Sequence, residues 1–74
     1  MLNAYAEAAM RLATYEHIED GSVIGSIPGF AGLWASAETE DACRRELRDA
    51  LDGWITLRTA SHTPLPPVRH SSQG

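Results

Sequence analysis

The chain has 74 residues and a net charge of −4, with ten acids against six basic residues. At 43% hydrophobic and 22% charged it reads as one globular domain. A domain this small buries only about 60% of its unfolded surface, which leaves a marginal core. A single cysteine, Cys43, excludes an internal disulfide, and the acidic balance excludes a general nucleic-acid binder.

All the basic residues are arginine. No Cys/His cluster suggests zinc, so a partner chain is the remaining support and a homodimer or higher homo-oligomer is expected. No stretch approaches the roughly 20 apolar residues of a membrane helix, and no charged segment precedes an apolar run as in a signal peptide. The expected location is the cytoplasm.

Residues 3–11 (NAYAEAAMR) read as a short helix with Asn3 as its N-cap. It is too short to be stable alone. It must lie on the rest of the chain through Tyr5, Ala9 and Leu12 or through Leu2, Ala6 and Met10.

Residues 13–18 carry the β-formers Tyr15 and Ile18 and end at Glu19-Asp20-Gly21. Asp-Gly is a strong hairpin signal. Residues 22–27 (SVIGSI) form the returning strand, and Gly25 inside it predicts a bulge or a close backbone approach. Pro28-Gly29-Phe30-Ala31-Gly32 is a loop, and residues 33–37 make a third strand. Tight connections make this an antiparallel meander. One face is assigned Leu12, Ile18, Val23, Ile27 and Leu33, and the other Tyr15, Ile24 and Trp34. Two apolar faces need two covers.

A long helix supplies one cover. Thr39 is its N-cap, with Glu40 and Asp41 in the first turn where the dipole favours acids. Cys43, Leu47, Ala50, Leu51, Trp54, Ile55 and Arg58 follow the spacing of one buried stripe, predicted to lie against Leu12, Val23 and Ile27. Glu40–Arg44, Asp41–Arg45, Arg45–Asp49 and Arg48–Asp52 are i,i+4 pairs on the outer side. The helix fades near Ala60, and Pro64, Pro66 and Pro67 forbid its continuation. Residues 1–68 therefore read as one domain and 69–74 as a flexible tail.

Catalytic signals are weak. The strands offer Glu16 alone, with Glu19 and Asp20 at the turn, whereas two-metal chemistry needs several converging carboxylates. His17, His62 and His70 lack ligand spacing. Cys43 sits in the first helical turn, where a thiol pKa can fall, but also on the apolar stripe, which makes it a small core residue. Gly25, Gly29 and Gly32 match no phosphate-loop pattern. No catalytic residue, metal or cofactor is expected. Trp34 lies either under the first helix or at a chain–chain contact, where aromatics concentrate energy. Tyr15, Ile24, Phe30 and Trp34 are the candidate partner or dimer contacts.

Three segments carry a family resemblance: Gly25-x-Ile27-Pro28-Gly29-Phe30-x-Gly32-x-Trp34-Ala35; then Ala37-Glu38-Thr39, Cys43, Glu46-Leu47, Leu51 and Trp54-Ile55; then Pro64-Leu65-Pro66. Together, over about residues 4–68, they resemble the HicB antitoxin family, in its subgroup with an N-terminal helix. The resemblance implies an α+β fold related to part of ribonuclease H. It comprises a short N-terminal helix, a three-stranded antiparallel meander and one long helix packed on the sheet. It also implies binding and silencing of a small basic HicA-type toxin that cleaves mRNA. Many members add a C-terminal DNA-binding domain; up to Gly74 this sequence shows none, and direct DNA binding is not expected. The expected function is a non-catalytic antitoxin module that occludes such a toxin. The alternative is an orphan structural or self-assembly domain with no toxin. A ribonuclease H-type enzyme is the third reading.

Overall fold

The computed structural model describes residues 2–68. The elements run α1 (Leu2–Arg11), β1 (Thr14–His17), β2 (Val23–Ser26), β3 (Trp34–Ala37) and α2 (Glu40–Ala60). The strands form one antiparallel sheet in the order β1-β2-β3, with α2 packed across it, so the α+β meander expected from the sequence is the fold. The expected tail, residues 69–74, lies outside the described residues. No helix among the described residues is long and apolar enough to cross a membrane.

Each turn has a local cause. After β1, Asp20 Oδ1 accepts hydrogen bonds from the Ser22 amide and hydroxyl, and Gly21 takes φ +95°. The connection is longer than a two-residue hairpin: the Ile18 and Ser22 backbones pair across it. Between β2 and β3 two successive turns close through Phe30 N–H to Ile27 C=O and Leu33 N–H to Phe30 C=O. Pro28 and Gly29 occupy the central positions of the first, and Gly29 takes φ +86° as a type II turn requires.

Helix α2 begins as expected. Thr39 is extended, and its Oγ1 accepts from the Ala42 amide at 3.1 Å. Its end has a cause that the prolines do not supply. His62 takes a left-handed φ of 59°, and the Thr63 amide reaches back to the Arg58 carbonyl at 2.8 Å. Of the outer pairs, Glu40–Arg44 and Asp41–Arg45 form at 3.7 and 3.5 Å, and Arg48 pairs with Asp52. Arg45–Asp49 does not pair, because Arg45 turns to Asp41; Arg44 also reaches Asp41 at 3.3 Å.

The core is the α2 stripe Cys43, Leu47, Leu51 and Ile55 against Val23, Ile27, Leu33 and Ala35, with Leu12 partly buried at its rim. Asn3 lies inside α1 rather than capping it. Helix α1 packs beside α2 through Ala6 and Ala9, whose small side chains permit close approach. It leaves the second face of the sheet uncovered. Tyr5 packs near the Phe30 ring at 6.2 Å between centroids, and its hydroxyl donates to the Pro66 carbonyl. That bond, with Leu65 and Val68 packed on the core, brings the proline-rich exit back to α1.

Candidate interaction surface

The strand register decides which side chains face outward. Directly opposed residues share a face, so Thr14, Ser26 and Trp34 form one outward row and Glu16, Ile24 and Ser36 the next. Trp34 is 61% exposed and stands diagonal to the half-buried Ile24. This face is mixed rather than apolar: serine, threonine and glutamate surround the two large side chains. It has no cover among the described residues.

Two of the four expected contact residues are placed elsewhere. Tyr15 belongs to the helix-covered face, not to the side of Ile24 and Trp34. It opposes Gly25, and a Cβ on Gly25 would stand 3.0 Å from both the Tyr15 ring and Cys43 Sγ. The ring occupies the room that the missing Cβ leaves, and Arg44 lies 5.7 Å from its centroid. Alternation counted through Ala13 puts Tyr15 on the wrong face, because Ala13 precedes the paired strand. Phe30 is 3% exposed and lies in the core, 4.9 Å from the Trp54 ring. Its loop position suggests exposure, but the double turn aims this side chain inward. Trp54, expected in the core, is half-buried at the rim: its Nε1 donates to the Ala31 carbonyl and Arg58 stacks 4.2 Å from its ring centroid.

Cys43 is fully buried, and its thiol donates to the Ala35 carbonyl at 3.5 Å. Burial pushes the thiol pKa up, so the thiolate needed for nucleophilic chemistry is disfavoured. Native Cys43 is expected to resist alkylation at neutral pH and to react once denaturant unfolds the chain; fast labelling of folded protein would contradict this placement. The raised pKa also sets a sign. The folded state holds the proton more tightly, so the contribution is fully present below the ordinary thiol pKa and is lost as pH rises through the raised folded-state value.

All ten carboxylates are on exposed residues. No group of three or more His, Cys, Asp or Glu side chains among the described residues is arranged to hold a metal. The acids line no enclosed centre; they form a solvated surface. A different grouping is not visible in the sequence. Arg11, Arg44, Arg45 and Arg48 line a groove of about 500 Å³ between α1 and α2, together with Glu7 and Met10. Arg11 comes from a different helix than the other three, and only the α1–α2 packing brings them together.

Fold and surface together define a small α+β domain with one side of its sheet uncovered among the described residues. The chain belongs to the UPF0150-like family, whose sequence model matches residues 4–66. It is similar to TTHA0281 from Thermus thermophilus, whose crystal structure is 34% identical in sequence and superimposes with a TM-score of 0.85 over 90% of this chain and 84% of that one. Among the curated proteins none matches this chain.

Proposed function

We propose that this chain is a non-catalytic, HicB-like antitoxin module that silences a small basic mRNA-cleaving toxin by covering its RNA-binding face. The observation that carries the reading is the exposure of all ten carboxylates on a chain of net charge −4. An acidic surface complements a basic ribonuclease and speeds the encounter more than it adds affinity. Membership of the UPF0150-like family and the residue pattern from Gly25 to Pro66 support the same reading. Occlusion needs no catalytic geometry; the module excludes RNA by occupying its place.

The module acts as a homodimer or higher homo-oligomer in the cytoplasm. The supporting observation is the open sheet face, where Trp34 and Ile24 stand uncovered on a domain with a small core. Symmetric closure of such a face on a second copy is the commonest solution.

Co-expression with the product of a short basic reading frame adjacent to this one tests the toxin reading. Restored growth and co-purification of the two chains are expected. Unrelieved growth arrest, with no complex recovered, would favour the self-assembly domain instead.

A further inference from the structure

The groove between α1 and α2 has the wrong sign for a basic toxin. Four of the six arginines in the chain converge on it, beside the half-buried Met10 and a single acid, Glu7, so its lining is net positive. Arg44 and Arg45 make only long contacts of 3.3–3.7 Å to Glu40 and Asp41, all on exposed side chains. Such pairs contribute little and leave most guanidinium donors free. Arg11 pairs with no acid among the described residues and sits at the carboxyl end of α1, where the helix dipole favours a cation. Arg48 is held by Asp52, so the groove offers the fork-shaped donors of Arg11, Arg44 and Arg45 over a floor of Met10 and arginine stems, which suits carboxylates.

The same molecule carries a matching segment. The β1–β2 hairpin holds Glu16, Glu19 and Asp20 within five residues, with no arginine among them. None of the three forms an ion pair among the described residues. The loop is pre-shaped, because Asp20 pins it through Ser22. The other run of acids, at the start of α2, is followed closely by Arg44 and Arg45, so presenting it to a second copy's groove would bring like charges together. We infer that the arginine groove docks the acidic β1–β2 hairpin of a second copy of this chain. The docking acids are Glu19 and Asp20 at the hairpin tip; Glu16 shares the sheet face with Ile24 and Trp34, so the groove contact is separate from that face and does not depend on a toxin.

Salt distinguishes the two contacts. Between about 0.01 M and about 1 M salt the screening length falls from about 30 Å to about 3 Å. A sheet-face contact anchored by Trp34 and Ile24 survives this change, whereas a carboxylate–guanidinium contact between exposed groups does not. Sedimentation of the full-length protein alone is expected to give a larger species at low salt than at high salt. Arg11→Glu/Arg45→Glu, and separately Glu19→Arg at the hairpin tip, are each expected to weaken the low-salt association about tenfold or more. Mixing the two charge-reversed variants is expected to restore it, a rescue that misfolded chains cannot produce. Low-salt association unchanged in the Arg11→Glu/Arg45→Glu variant, or no recovery on mixing, would overturn the inference. Loss of all association at high salt would instead count against the Trp34 face and leave the groove standing.

Discussion

Leu51→Ala is expected to destabilise the protein by about 2–5 kcal/mol, the range for emptying a fully buried leucine site. Leu51 has no exposed surface and sits mid-stripe on α2 among Leu47, Ile55 and the inward residues of the sheet. A domain of this size holds only about 3–5 kcal/mol from its core, so the variant is expected to be largely unfolded or held together by association alone. Arg48→Ala on the groove side of the same helix loses one partly exposed pair with Asp52 and is expected to cost under about 1 kcal/mol. Thermal melts of the two variants decide the matter. Leu51→Ala melting like wild type while Arg48→Ala unfolds would reverse the assignment of the helix faces.

Gly25→Val is the second large effect. Valine favours strands, worth at most about 1 kcal/mol here. The space is missing, however: the new Cβ alone would lie 3.0 Å from the fully buried Cys43 sulfur and from the Tyr15 ring. Tyr15 can swing outward because it sits on an edge strand, but Cys43 is fixed by α2. Overpacking of this kind is expected to cost about 1–3 kcal/mol, which outweighs the propensity gain. Gly53→Ala is the control. Gly53 lies in α2 with nothing within 4 Å of its would-be Cβ, so alanine there is expected to stabilise by about 0.5–1 kcal/mol. Denaturant midpoints that move the same way for both substitutions would show that Gly25 is not a packing site.

These two positions also mark how far the sequence can be read. The α2 stripe is legible because its spacing persists over many turns and Thr39 announces its start. Gly25 is legible as a close approach because glycine inside a strand has few other reasons to be there, though not which atoms approach it. Tyr15 is misplaced by pattern because a four-residue strand gives alternation too few positions to vote, and one unpaired residue reverses the parity. Phe30 is misplaced because its direction depends on two consecutive turns, not on its own neighbours. His62 is a weaker left-handed signal than glycine, yet it takes the left-handed position that ends α2. The arginine groove is invisible for a different reason. Arg11 and Arg45 are separated by the whole sheet in sequence, and their juxtaposition belongs to the packing of α1 beside α2.

The open sheet face and the acidic surface have separate roles. Trp34 and Ile24 close the proposed oligomer, and the exposed carboxylates outside the β1–β2 hairpin meet the proposed basic partner. A Trp34 variant is therefore an assembly variant first, and any loss of silencing follows from lost assembly.

The most direct measurement is RNA cleavage by the purified basic partner, titrated with this protein at constant RNA concentration. The expected result is a linear fall in cleavage that ends at a fixed stoichiometric ratio, with no cleavage by this protein alone. Full cleavage at a molar excess of this protein, or RNA degradation by this protein itself, would contradict occlusion by a non-catalytic module.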